Sequence, residues 1–465
     1  MGPTPDRGSS TTADTEPAAA TADDAGPRQC YDVAVIGGGV VGHGIARAAR
    51  LSGRSVALID DAPGSGASWA AAGMLAPVSE LHYQEKALLE LMLESSSLWP
   101  AFVAGLDAGP ADGTGATGTG YLTTPTLAVG ADAADRRALA DLRIVQQAHG
   151  LAVEPLTVRE ARVREPFLSP GISCAFDIPA DHQVDPRRLL GRMSGLLAAD
   201  SRCQTISRRA AGLLWADGRV VGARLAGGGS VRAGETIVAN GLGAAALEGL
   251  PAGLRLPLRP VHGDILRLRV PEKLRPLLTS TVRGLVRGVP VYLVPRPDGT
   301  VVIGATQRED SLGDESQTAA PAGSNPAGSA VSAGGVYQLL RDAQQLVPAV
   351  AELELLEATA RARPGTPDNA PMLGRVADPG RHGDVAGLII ATGFFRHGIL
   401  LTPAAAEICR QLLDGVADPR WAQFRPDRFA AGTPGSGPPA AEPPETAPGH
   451  AAHRDTTPEH SKETV

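Results

Sequence analysis

The chain has 465 residues, 43% of them hydrophobic and 20% charged, with a formal net charge of −7. That length allows two domains of a globular protein. The acidic balance argues against a general nucleic-acid binder, which would present a basic surface, and no apolar run reaches the roughly 18 residues of a membrane helix. Aromatic residues make up only 3%, so the core must be built from Leu, Val, Ile and Ala. The four cysteines, Cys30, Cys174, Cys203 and Cys409, are scattered with no CxxC pair. They fit a reducing, cytoplasmic setting better than a disulfide framework or a zinc site, and no metal is expected.

Residues 1–29 are polar, rich in Pro, Ala and Asp, and lack an apolar signal core, so they read as a disordered leader. The run "YDVAVIGG" (31–38) is a short β-branched stretch that predicts a buried strand. "VVGHGIARAARLSG" (40–53) has helical spacing and ends on Gly53 as a C-terminal cap. "SVALID" (55–60) predicts the next strand and residues 85–99 a long helix. Two stretches, 107–120 and 310–330, are too poor in apolar residues to offset their ordering cost and read as flexible insertions. Further strands are expected at 234–241, 264–270, 291–296, 300–306 and 387–393, then a helix at 398–415. Residues 431–465 read as a disordered tail with solvated histidines.

The first three elements carry a nucleotide-binding pattern. Gly37, Gly39 and Gly42 form GxGxxG between strand and helix. Such glycines allow a sharp turn, close backbone approach to a pyrophosphate and tight helix–strand packing, while the helix N-terminus offers free N–H groups. Asp60 ends the second strand, where an acidic side chain binds a ribose hydroxyl pair. The pattern points to a dinucleotide without choosing between FAD and NAD. Near the other end, "TARARPGTPDNAPMLG" (359–374) sets Arg361 and Arg363 before a proline-stiffened loop. Residues two apart in a strand share a face, so alternation does not choose between these arginines.

The choice of cofactor comes from a resemblance. The small-residue run "GASWAAAGMLAP" (66–77) follows the second strand at once, as a flat flavin ring would need. With "DHQVDPRRLL" (181–190), "IVANGLGA" (237–244), "PVHGDILRL" (260–268), "VPVYLVPRPDGTVVIGATQRED" (289–310), "RARPGTPDNAPMLGR" (361–375), "LIIATGFFRHGILLTPAAAEI" (388–408) and "FRPDRF" (424–429), it resembles the D-amino-acid-oxidase (DAO) family of flavoenzymes over roughly residues 31–430. Within that family the chain is similar to the glycine oxidase branch of thiamine biosynthesis. The resemblance implies an α/β fold: a Rossmann-like FAD-binding domain (31–106, 171–255 and 358–430) and a discontinuous α+β substrate-binding domain with a mixed antiparallel sheet (107–170 and 256–357).

It also implies noncovalent FAD, since Cys409 falls well inside the last helix. By motif, Gly37, Gly39, Val40, Val41 and Gly42 would hold the phosphates, Asp60 and Asp61 the ribose, and Ala211 the adenine through its backbone. Ala67, Ser68, Ala72, Gly73 and Met74 would lie along the ring, and the loop Phe394, Phe395, Arg396, His397, Gly398, Ile399 and Leu400 would close the site. A helix starting near Gly398 would turn its positive end to the charge of the reduced flavin. For the substrate, Arg363 would clamp a carboxylate, Tyr292 would add a hydroxyl, Arg396 would meet the amine through its backbone carbonyl, and Gln307 would line the pocket.

The implied reaction is oxidation of glycine with O2 and water to glyoxylate, ammonia and hydrogen peroxide, by hydride transfer from Cα to flavin N5 and hydrolysis of the imine. No side chain is required as a general base, so His262 and His397 are given no such role. Three positions depart from the family pattern: Pro290 and Phe394 where it has His, and Gln307 where it has Met. They leave a sarcosine oxidase, a small D-amino-acid oxidase and a quinone-linked D-amino-acid dehydrogenase as alternatives. The implied partners are a small amino acid and O2, a homo-oligomer of which the tetramer is a common family form, and a functional link to thiazole synthase.

Overall fold

A computed structural model describes residues 30–82, 85–108, 118–309, 330–378, 380 and 382–430. In chain order the elements are β1 (Cys30–Ile36), α1 (Val40–Leu51), β2 (Val56–Ile59), α2 (Ala67–Ala70), β3 (Met74–Leu75), α3 (Lys86–Asp107), β4 (Thr126–Gly130) and α4 (Ala133–Ala148). Next come β5 (Glu154–Leu156), α5 (Val158–Arg164), β6 (Cys174–Ile178), β7 (His182–Gln183), α6 (Pro186–Ala198), β8 (Cys203–Ile206), β9 (Ala210–Ala216), β10 (Arg219–Leu225) and β11 (Ser230–Val238). The rest are β12 (Arg259–Arg269), β13 (Thr281–Val286), β14 (Val289–Pro295), β15 (Thr300–Gly304), α7 (Ala333–Leu346), β16 (Glu354–Gly365), β17 (Met372–Gly374), β18 (Leu388–Thr392) and α8 (Thr402–Leu413).

These strands form two large sheets. The first has the order β17-β18-β11-β1-β2-β8, with β10 and β9 branching from β11. Its central strands are parallel and buried on both faces, which is why they read as unbroken apolar runs. Val33, Val35 and Leu58 face α1, α3, α6 and α8, while Ala34, Ile36 and Ile59 pack on the other side with Leu213 and Val220 of the branch. The second sheet has the order β16-β12-β15-β14-β13-β4-β6-β5 and is antiparallel apart from the β13–β4 pair. One face packs on α7 through Leu339, Ala343 and Leu346. The opposite face fronts a cavity shared with the first sheet.

Several expectations shift. Strand β6 lies in the segment expected with the nucleotide domain, yet it pairs with β4 in the second sheet. Strand β16 likewise opens the last nucleotide segment but pairs with β12 over its whole length, through Pro364 opposite Pro260. An apolar run marks a strand but not the sheet edge whose hydrogen bonds it completes. The arginine pair therefore stands at the end of a long strand, just before the loop that leads to β17. Helix α3 continues through Pro100 to Asp107. Residues 118–120 of the first expected insertion are ordered, with Thr119 buried and its N–H donated to Asp107 Oδ1 (2.8 Å). Residues 109–117 and 310–329 of the two insertions, the leader and the tail lie outside the described residues. The last helix begins at Thr402, after a single turn over Phe395–His397.

Candidate active site

The cavity, of about 840 Å³, lies between the C-terminal end of β1 and the open face of the second sheet. Its nucleotide end is built from backbone. Gly37 has φ 111°, and a Cβ there would come within 2.5 Å of the Ala239 carbonyl oxygen. Gly42 abuts the Gly37 carbonyl, so only glycine lets α1 pack this close. Helix α1 starts at Val40 with no side-chain cap, apart from Val40 N–H donating to Ser68 Oγ (3.1 Å). Its first turn therefore presents N–H groups to the cavity. Asp60 accepts from Gly38 N–H (2.6 Å) and Ala62 N–H (2.7 Å), which holds the turn; each oxygen keeps a lone pair for a hydroxyl.

The segment from Ala67 to Met74 runs along the cavity. Gly73 has φ 76°, and its carbonyl accepts from Val184 N–H (2.9 Å). The buried Arg296 donates to the carbonyls of Val184 (2.9 Å) and Ala72 and to Gln183 Oε1 (3.1 Å). Burial pulls its pKa down to about 10, still a cation at neutral pH. It ties the small-residue run to the substrate sheet. On the far wall Phe395 is held at φ 46°, a strained conformation for an aromatic residue. The Leu400 carbonyl is fixed by Ser95 Oγ (2.6 Å) and Trp99 Nε1 (2.9 Å) of α3.

The substrate end is built from side chains standing on one sheet face. Tyr292 lies opposite Gly304, and Arg363 opposite Val261 on β12. Arg361 pairs with Gly263, so both arginines emerge on the same face. The Arg363 guanidinium lies across Gly263, and the Tyr292 phenol across Gly304; a Cβ at either glycine would collide with them. Burial pushes the Tyr292 phenol up, against the opposing pull of the Arg363 guanidinium, so it stays a neutral hydroxyl. Arg363 reaches the Thr306 carbonyl at 3.5 Å and pairs with no carboxylate among the described residues. Arg361 instead donates to the carbonyls of Ser65 (3.0 Å) and Ala360 (2.8 Å), bracing the nucleotide loop.

Beside Arg363 the charges cancel. Glu80 pairs with Arg283 and with Arg396 Nε (3.0 Å), and Arg396 also reaches Glu85 (3.2 Å). Burial pushes the Glu80 carboxyl up, but Arg283 and Arg396 outweigh it and hold it at about 2. Burial, then Arg396, pulls His397 down to about 3 and His82 to about 4, so both are neutral. The Arg396 guanidinium is thus engaged with carboxylates.

Of the expected residues, Gly37, Gly39, Val40, Val41, Asp60, Asp61, Ala67, Ser68, Ala72, Gly73, Met74, Tyr292, Gln307, Arg363 and all seven from Phe394 to Leu400 line this one cavity. Two do not. Gly42 is a packing glycine behind the turn. Ala211 sits in β9, where its carbonyl accepts from Glu248 N–H (3.1 Å), and is not among the residues lining the cavity. The expected helix N-terminus near Gly398 is a turn in which the first N–H after His397 to find a backbone acceptor is that of Leu401 (His397 O, 2.8 Å). Gly263, Gly304, Arg283, Glu80 and Arg296 escaped sequence reasoning. Their signal, glycines inside apolar strands and lone charges in or beside them, was present but means nothing until the chain is folded.

A flavin dinucleotide fits the residues present: a cradle at Gly37 that any side chain would fill, an open helix turn, and the buried Asn240 Oδ1 without a partner on the cavity wall. No group of three or more His, Cys, Asp or Glu side chains suited to a metal occurs among the described residues, and none of their helices is long and apolar enough to cross a membrane. The family model for FAD dependent oxidoreductases matches residues 32–412. The chain is 31% identical to glycine oxidase of Geobacillus kaustophilus over 391 residues, 83% of this chain and 93% of that one. It is 30% identical to the bifunctional protein ThiO/ThiG of Trichormus variabilis over 86% of its own length, spanning 55% of that protein. The crystal structure of the Geobacillus glycine oxidase superimposes with a TM-score of 0.72 at 29% identity, over 85% of this chain and 98% of that one. The chain is an enzyme of the DAO family of FAD-dependent oxidoreductases.

Proposed function

We propose that the protein is an amino-acid oxidase of the glycine oxidase type, converting glycine, O2 and water to glyoxylate, ammonia and hydrogen peroxide. One observation carries this reading: the Arg363 guanidinium, unpaired by any described carboxylate, lines the cavity together with the half-buried, neutral Tyr292 phenol. A guanidinium and a hydroxyl converging on one spot suit a carboxylate. FAD, when bound, supplies the hydride acceptor and the route to O2. The chain's own residues hold the carboxylate at Arg363 and Tyr292, leave the amine beside the backbone of Arg396, and exclude charged competitors by neutralising Glu80. Orientation rather than acid–base chemistry is their task, because His82 and His397 stay neutral and stripped of proton affinity.

The resemblance to the bifunctional ThiO/ThiG protein supports a place in the supply of imine for thiazole synthesis, in the cytoplasm and alongside a thiazole synthase. The test is anaerobic bleaching of the flavin by glycine, sarcosine and D-alanine, with peroxide measured on readmitting oxygen. Bleaching and peroxide with glycine are expected. Dye reduction without peroxide would replace the oxidase by a dehydrogenase, and no bleaching by any amino acid would overturn the reading.

A further inference from the structure

The cavity continues well past the carboxylate clamp. On β14 Tyr292 pairs with Arg283 of β13, Arg283 with Ala128 of β4, and Ala128 with Phe176 of β6, so these four stand in one row on the cavity face. From Tyr292 to Phe176 is three strand steps, about 14 Å at ~4.8 Å each. A glycine spans about one Cα–Cα step, ~3.8 Å. Beyond Arg283 the wall turns apolar: Leu285, Ala128, Phe176 and Ile178 from the sheet, faced by Leu139 and Leu142 of α4. These two leucines are only half-buried, although they sit on the face of α4 turned to the sheet. The polar Gln146 at this end already donates its amide to the Val78 carbonyl (2.9 Å). A second substrate carboxylate would find no free cation here among the described residues, because Arg283 is paired with Glu80.

We propose that this arm receives an apolar substituent of about four carbons, carried on the amine or on Cα of the amino acid held at Arg363, and that it sets substrate preference. The proposal rests on the amino-acid oxidase reading above. Each methylene buried in an apolar arm is worth about fourfold in kcat/KM. The experiment compares anaerobic bleaching by glycine, N-ethylglycine, N-butylglycine, D-alanine and D-norleucine in the holoenzyme and in Leu142→Trp and Ala138→Phe, both on the partly open side of α4. The N-alkyl and D-amino-acid arms separate the two points of attachment. A second readout, free of turnover, is the Kd of acetate, butyrate and hexanoate from perturbation of the flavin spectrum.

In the unaltered enzyme kcat/KM rises at least tenfold from glycine to the four-carbon member of one series, and hexanoate binds more tightly than acetate. In either plugged variant that ratio collapses to about one. If glycine bleaches the flavin and longer substrates do so less well, the proposal fails while the oxidase reading stands. An equal loss for glycine and long substrates in both variants would make the arm an access path, and overturn the proposal. If nothing bleaches the flavin, the oxidase reading fails and the proposal with it.

Discussion

The two ends of the cavity are built on opposite principles. At the nucleotide end the contacts are backbone, and glycines at Gly37 and Gly42 keep side chains out of the way of main chain. At the end proposed for the substrate the wall is made of side chains, and Gly263 and Gly304 make room for Arg363 and Tyr292. A missing Cβ therefore has two meanings. In the first it permits a fold and a cofactor; in the second it permits an orientation. Damage should follow the same division: loss of flavin and stability at one end, loss of substrate affinity with flavin retained at the other.

The largest effect is expected from Gly37→Ala. The new Cβ meets the Ala239 carbonyl at 2.5 Å and φ is 111°, so overpacking and backbone strain of about 1–3 kcal/mol each combine. The purified variant should carry little flavin and melt at lower temperature; full flavin content would break the comparison. Next is Arg363→Ala. Losing a charge-assisted clamp costs about 3 kcal/mol, roughly 100-fold in kcat/KM for glycine, with flavin content unchanged. If low glycine bleached this variant as fast as the parent, the clamp assignment would be wrong.

Gly263→Ala sharpens the contrast. Its Cβ meets the end of a flexible guanidinium rather than backbone, and its φ does not demand glycine. We expect about a tenfold rise in KM with a melting temperature close to the parent's; loss of flavin would place this glycine in the same class as Gly37. Tyr292→Phe removes one hydrogen bond, about 0.5–1.5 kcal/mol, and should raise KM about threefold to tenfold.

The last effect is read on stability and its pH dependence rather than on substrate affinity, and it concerns Glu80. Its folded-state pKa of about 2 lies below the ordinary 4.5, so the stability it contributes is present above about pH 4.5 and is lost as pH falls toward 2. Acid denaturation of Glu80→Gln should show a shallower slope across that window. An unchanged slope would remove Glu80 from the ion-pair network.

The contrast between the ends also explains what could be read early. The phosphate turn was legible because its parts are consecutive: strand, glycines, helix, strand and Asp60 fall within residues 30–60. The substrate face was legible only where the family resemblance supplied Arg363 and Tyr292. Glu80 and Arg283 are 203 positions apart, and Arg296 reaches back 224 positions to Ala72, distances over which local pattern carries no information. Ala211, placed by a loose motif match, stands in β9 with its carbonyl bonded to the distant Glu248 N–H and outside the residues that line the cavity.

By itself the sequence determined the alternation of strand and helix, the dinucleotide turn and the class of cofactor, because each depends on neighbours in the chain. Tertiary structure alone decided which arginine is left unpaired. Arg361 and Arg363 share a face and a strand, and register against β12 sets one guanidinium on backbone carbonyls and lays the other across Gly263, open to the cavity. Pairing register is a property of two strands about a hundred residues apart in the chain, and no single stretch of sequence contains it.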